Sequence, residues 1–364
     1  MNIPLELRGA IPRWVAHSAL ALRHKLHRLG DALVPAEVAV FDESAGALRT
    51  QVYRAAAELG LPDCVADAPR TARELSDATG MDPLVLERFL RAAVALDLFE
   101  KTEDGRFAAT PRSKALQKNS LTSLRDWVLY FGSQATQTAW LELGKSLRDD
   151  AISPFRRVHQ GTVWDHFARH PDEGEVFADA MGTMTAMDAP GIARAYPFSR
   201  FKTVCDVGGG RGTLLAEIVS YHPAVKGVLF DTAPVLEKAK TFLAEHGVAS
   251  RVETIEGNFF ETAPEGYDAY LLKDVLHDWD DTSCVKLLST LHKHMKPGAK
   301  LILIEVLLEE DLYSPVADLM MLVVTDNGRK RTLAELHQLL ARAGFYPTRA
   351  VKSPTFPTLV EAQR

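Results

Sequence analysis

The sequence predicts a Rossmann-like α/β domain of seven strands, the last hairpin antiparallel, preceded by a helical winged-helix N-terminal domain. Three observations predict it. From Phe201 onward short apolar runs alternate with helical runs, the pattern of a parallel sheet covered by helices on both faces. The first apolar run, Phe201 to Val207, passes into Gly208, Gly209, Gly210 and Gly212, and a helical pattern (Leu214, Leu215, Ile218, Val219) follows at once. Upstream of residue 119, helices and a short hairpin succeed one another in winged-helix order. The 364 residues allow one or two domains. The expected division is 1–118 for a winged-helix dimerisation domain, 119–198 for a helical linker with pocket helices, and 199–364 for a cofactor-binding catalytic domain.

The elements follow in order. Ile11, Val15, Leu22, Leu26, Leu29 and Leu33 recur at three- and four-residue steps, so Pro12 to Leu33 reads as an amphipathic helix. Arg23, Lys25 and Arg28 mark another face. Such a helix can lie on a membrane, but packing between subunits is the preferred reading. Val38 to Leu59 reads as one helix. Thr71-Ala-Arg-Glu74 is a capping box opening a short helix that ends at Gly80, and Asp82-Pro83 starts the next. That next helix offers Arg88 and Arg91 among apolar residues, a poor set for reading DNA. Leu98 to Glu100 and Arg106 to Ala108, joined through Asp104-Gly105, form a hairpin. From Asn119 to Ala195 the chain reads as helical and aromatic. Trp164, Phe177 and Met181 are expected to wall an apolar substrate pocket. The sheet strands are expected at 203–207, 226–230, 252–255, 269–272 and 301–305. A helix at 333–343 and a closing hairpin at 346–352 and 358–362 complete the chain.

Composition excludes several classes. Hydrophobic content of 46% and charged content of 25% are those of an ordinary globular protein. A net charge of −6 argues against general nucleic-acid binding, which needs a basic surface. Cys64, Cys205 and Cys284 stand too far apart for a metal pair or a disulfide framework. His17, His24 and His27 lack a compact ligand spacing, so no metal is expected. No apolar run is long enough for a membrane span, and Arg8, Arg13 and His17 interrupt the N-terminal apolar residues, so no signal peptide is read. A cytoplasmic enzyme is the expectation.

The glycine turn narrows the cofactor. Its spacing is G-x-G-x-G, not the dinucleotide G-x-G-x-x-G. Asp206 precedes the first glycine by two residues, where it would repel a pyrophosphate and attract a sulfonium or ammonium. Asp231 comes after the second strand, where a carboxylate can accept from ribose hydroxyls. Two acids and no phosphate-binding lysine point to S-adenosylmethionine (SAM), with S-adenosylhomocysteine as its product. The segment from Leu272 to Asp281 follows the fourth strand, beyond a carboxyl end where open α/β sheets bind ligands. His277 is thereby expected beside the methyl donor, and Trp279 can stack on adenine.

The glycine motif, Asp231, Gly257-Asn258-Phe259-Phe260, Leu272 to Trp279 and Lys330-Arg331-Thr332 stand in this order at fitting separations. Together they resemble the small-molecule O-methyltransferases of the plant caffeic-acid type and their bacterial polyketide-tailoring relatives, over nearly the whole chain. The resemblance implies a class I methyltransferase sheet and a homodimer formed by the N-terminal domain. It implies that Asp206, Gly208 and Gly210 face the methionine part of SAM, that Asp231 holds the ribose, and that Asn258 and Phe259 border the adenine. Lys273 and Thr185 would meet the cofactor, and Trp279 would stack. Met181, Phe177, Trp164, Asp278 and Asp326 would line the acceptor side. His277 would be the general base and Glu305 would orient it.

Two positions depart from that family's pattern. Asn258 stands where Asp is frequent, and it can still accept from an adenine amino group. Lys330 stands where a second carboxylate usually adjoins the base. It could oppose a protonated His277, stabilise a phenolate directly, or point to solvent. A phenol exceeds imidazole by about 3.5 pKa units, roughly 5 kcal/mol, so a base that takes the proton as the C–O bond forms avoids that full cost. The expected function is O-methylation of a small aromatic natural product. The alternatives are C- or N-methylation, a non-methylating tailoring reaction of the hydroxylation or decarboxylation type, or a ligand-sensing winged-helix regulator.

Overall fold

The computed structural model describes residues 13–120, 123–148, 152–309 and 314–364. Arg8, Ile11 and Pro12 of the reading above lie outside them. The described chain falls into two compact units. One takes in Leu20–Gln137 and Asp172–Thr183; the other takes in Thr138–Pro171 and Met184–Arg364, with 13–19.

In the first unit, the helix Arg13–Ala32 leaves Leu22, Leu26 and Leu29 more than half exposed. The expected single helix over 38–59 is two, Ala36–Ser44 and Gly46–Glu58. The break has a local cause. Ser44 Oγ donates to Phe41 O at 2.6 Å, which competes with the helical ladder just before Gly46. The capping box forms as read: Glu74 N donates to Thr71 Oγ1, and Glu74 Oε2 accepts from Thr71 N. The helix it opens, Ala72–Thr79, ends on Gly80 in the left-handed region. Asp82 then caps Pro83–Ala95. Strands β1 (Phe99–Lys101) and β2 (Phe107–Ala109) pair antiparallel around Asp104-Gly105, and Arg70 adds a bridge to Phe107. Leu61, Leu75, Leu86, Leu90, Leu98, Phe99 and Phe107 are buried together. Each such side chain contributes about 1.5–3 kcal/mol when removed from water.

The second unit is built on β3 (Thr203–Val207), β4 (Lys226–Asp231), β5 (Val252–Glu256), β6 (Ala269–Lys273), β7 (Lys300–Glu305), β8 (Tyr346–Lys352) and β9 (Thr358–Gln363). Their order is β5-β4-β3-β6-β7-β9-β8. The first five are parallel, and β9 and β8 are antiparallel additions. The interior strands read as apolar runs because both faces are covered: Leu301 to Ile304 are fully buried. Successive strands leave β3 in one direction, and the chain then returns to its other side with β6. The order therefore reverses between β3 and β6, and a crevice is expected at their carboxyl ends. No described helix is long and apolar enough to cross a membrane.

Candidate functional site

The turn after β3 is built over a buried acid. Gly208 and Gly210 adopt φ of +69° and +59°. A Cβ on Gly209 would lie 2.6 Å from the Asp206 carboxyl carbon and from a Leu229 methyl, so only glycine fits there. Asp231 ends β4, one residue beyond the expected strand. Its Oδ2 accepts from Gly210 N at 3.0 Å and its Oδ1 from Thr232 N at 2.7 Å. Burial raises its pKa in spite of those bonds. Asp206 is 1% exposed, and its Oδ1 has no partner among the described residues. Burial, reinforced by the Asp231 charge and opposed by Lys273, pushes the Asp206 pKa up to about 7. A buried carboxyl oxygen left unpaired is costly. A cation held at the turn would relieve that cost. The residues therefore fit a cationic, ribose-bearing cofactor of the kind expected from the sequence.

Aromatic rings border this turn. The Cβ that Gly208 lacks would lie 3.5 Å from Phe259, so that ring sits against the glycines. Phe259 meets Trp279 edge to face at 6.2 Å, and Phe260 meets it at 4.7 Å. Trp164 stacks on Trp279, with centroids 6.2 Å apart. Asn258 is exposed, and its amide is engaged locally: Oδ1 accepts from Phe260 N and Nδ2 donates to Glu261. Thr185 is half-buried on the helix Pro171–Ala195, between the exposed Met184 and Met187.

His277 lies in the 3-10 turn Leu276–Asp278 after β6. Its Nδ1 is 2.9 Å from Glu305 Oε2, and Glu305 Oε1 accepts from Leu276 N at 3.2 Å. Glu305 is the last residue of β7 and is buried. One carboxylate thus fixes both the turn and the ring. Lys330 Nζ is also 2.9 Å from Nδ1, and the residue is 7% exposed. Its ammonium points at His277, not at solvent. Asp278 lies 3.6 Å from Nε2 and Asp274 3.7 Å from Nδ1. Burial and the Lys330 charge depress the His277 pKa, but Glu305 and Asp278 outweigh them and raise it on balance. Burial pushes Asp278 up to about 6, against His277 and Lys330. Asp274, despite burial, is held well below the usual carboxylate range by Lys273, Lys330 and His277. Lys273 pairs with Asp274, whose charge, with that of Asp188, raises the lysine above its ordinary value in spite of burial. Asp274, His277 and Glu305 offer donor atoms within 4.8 Å of one another. The Lys330 ammonium already stands among them, and no metal is assigned.

Two of the expected acceptor residues are engaged elsewhere. Asp326 accepts from Ser153 Oγ and Arg156 Nε, both at 2.9 Å. Phe177 packs edge to face on Tyr130 in the helical unit, to which Met181 also belongs. Sequence reasoning gave no role to Arg331, which clamps the His277 turn. Its guanidinium donates to Leu276 O and Trp279 O, each at 2.7 Å, and to Asp281 at 2.9 Å. The quoted Lys-Arg-Thr triplet was its one signal. Asp274 was missed too: it holds φ +52°, a left-handed conformation that Asp tolerates, and so turns the chain from β6 toward His277. Gly328 presses on the same turn. A Cβ there would lie 2.4 Å from His277 O and 2.3 Å from Thr325 Oγ1.

The family profile of the O-methyltransferase domain matches residues 140–346, and that of the O-methyltransferase dimerisation domain matches residues 42–119. The chain is similar to a mitomycin biosynthesis 6-O-methyltransferase of Streptomyces lavendulae, 34% identical over 92% of this chain and 96% of that one. It is also similar to an 8-amino-8-demethylriboflavin N,N-dimethyltransferase of Streptomyces davaonensis, 36% identical over 81% and 86%. Among solved structures, an O-methyltransferase from neocarzinostatin biosynthesis, in complex with S-adenosyl-L-homocysteine and 1,4-dihydroxy-2-naphthoic acid, superposes with a TM-score of 0.75. It is 29% identical, covering 86% of this chain and 95% of that one.

Proposed function

This chain belongs to the O-methyltransferase family, and from that premise we propose that it methylates a hydroxyl, in the first place a phenolic one, of a small aromatic natural product. The observation that carries the reading is the His277–Glu305 pair, 2.9 Å apart, at the carboxyl ends of β6 and β7. SAM, when bound, supplies a methyl group on a sulfonium, and the S–C bond breaks as the O–C bond forms, leaving S-adenosylhomocysteine. Asp206, Gly208, Gly210 and Asp231 would hold the donor at the glycine turn. Asn258, Phe259 and Trp279 would border its adenine, and Lys273 and Thr185 would meet the cofactor. Trp164 and Asp278 are kept as acceptor-side residues.

In the tautomer with hydrogen on Nδ1, His277 donates to Glu305 and keeps a lone pair on Nε2. That nitrogen takes the hydroxyl proton as the oxygen is methylated. Glu305 and Asp278 favour the imidazolium that forms. The exposed leucines of the first helix and the matched dimerisation domain support a homodimer.

N-methylation is the second reading, because one relative is an N,N-dimethyltransferase. Incubation with 13C-methyl SAM and a panel of hydroxy- and aminoarenes separates the two, since O-methyl and N-methyl carbons resonate apart. Products carrying the label on nitrogen alone would replace the first reading with the second. Calorimetry with SAM tests donor binding independently.

A further inference from the structure

We propose that Lys330 is a positioning residue of the base: its ammonium opposes the carboxylates that favour a protonated His277, and so limits how readily the ring becomes charged. The inference rests on His277 acting as the base. Three acids face the imidazole. Glu305 Oε2 is 2.9 Å and Asp274 Oδ1 3.7 Å from Nδ1, and Asp278 Oδ1 is 3.6 Å from Nε2. Such company favours the imidazolium, and an imidazolium cannot take a proton.

Lys330 supplies the opposing charge. Its Nζ is 2.9 Å from Nδ1 but 3.9 Å from Asp274 Oδ1 and from Glu305 Oε2. The ammonium stands nearer the ring than either acid it could pair with. Against a protonated ring its repulsion therefore acts at shorter range than its attraction to either acid. An ammonium has donors alone, and so does a charged imidazole. Two like charges oppose each other once the ring is protonated, a repulsion that the neutral ring does not carry. The placement is imposed by the fold. Lys330 N donates to Asp318 Oδ1 at 2.7 Å, and the next residue, Arg331, is tied to Leu276 O and Trp279 O. Lys273, at the end of β6, pairs with Asp274 and weakens that acid's pull on the ring. The charged groups around His277 are thus Lys273 and Asp274 after β6, Asp278 on its own turn, Glu305 on β7, Asp318 on the helix Ser314–Val324, and Lys330 with Arg331 ahead of the helix Leu333–Arg342.

The test is a pH titration of the full chain with 15N-labelled histidine, followed by NMR without SAM or acceptor. The His277 signal is assigned by its loss in His277→Asn. In Lys330→Met and Lys330→Gln the titration midpoint should rise by about one unit or more. Lys330→Arg, which keeps the charge, should stay close to the unaltered protein. An unchanged or lower midpoint in the neutral variants, in protein that keeps its thermal transition, overturns the proposal. If Lys330→Met does not fold, Lys330→Gln decides. No donor or acceptor enters the measurement, so its failure leaves methyl transfer standing. A failure of SAM binding, in turn, does not alter its result.

Discussion

The glycine turn and the His277 turn leave neighbouring strands, β3 and β6, yet they are held in opposite ways. The first is tied by backbone donors to residues on the next strand: Gly208 N to Phe230 O, and Gly210 N to Asp231. It hides one carboxyl oxygen without a partner. The second is tied by side chains from far along the chain, Glu305 from β7 and Arg331 from the segment after it. Leu276 N, Leu276 O and Trp279 O are all engaged by those side chains. The difference teaches that one turn is arranged to be completed by a cation, whereas the other is preset around a proton.

Four measurements can break or sharpen that contrast. The largest effect is expected from Arg331→Ala, which strips donors from two carbonyls and from Asp281. Stability should fall by about 3 kcal/mol in urea denaturation. Wild-type stability would mean that the His277 turn holds itself. Next, His277→Ala should lower turnover about a hundredfold, roughly 2.7 kcal/mol in barrier, with SAM affinity nearly unchanged by calorimetry. A matching loss of affinity would fuse the two turns into one unit. Third, Asp231→Ala should weaken SAM binding about tenfold, near 1.4 kcal/mol, while the His277 titration stays put. Normal affinity would remove Asp231 from the donor site.

The fourth and mildest effect is on pH dependence, and the two turns should answer for different reasons. Asp206 attracts a cation only when ionised, and its pKa is pushed up to about 7. SAM affinity should therefore weaken as pH falls through that value, by at most about tenfold per unit. Asp206→Asn should flatten the curve. His277 must be neutral to accept a proton and its pKa lies above the ordinary 6.5. The acid limb of kcat/KM should accordingly sit above that value, and a limb below it would remove His277 as the titrating base.

Legibility in the sequence follows the same contrast. The sheet and the glycine turn were readable because their determinants are contiguous: apolar runs, glycines and an acid within a few residues of one another. The Thr71 cap and the Asp104-Gly105 hairpin were readable for that reason too. Misreadings came from side chains acting across local rules or long distances. Ser44 bonds back to Phe41 and splits a helix that periodicity made continuous. The partner that Asp326 takes, Arg156, lies 170 positions away and could not be read from local sequence. The triplet at 330–332 was noticed as a motif. The resemblance already offered Lys330 as a neighbour of His277, one of three options, but nothing in the triplet said that Arg331 would grip two carbonyls of the same turn.

Gly328 sets a boundary for anyone reshaping this protein. With the missing methyl only 2.4 Å from a backbone oxygen of the turn it abuts, no larger residue can enter without displacing His277. Combinatorial libraries aimed at broader acceptor scope should leave that codon untouched and randomise the aromatic wall instead, where a change of ring alters the fit and spares the chemistry.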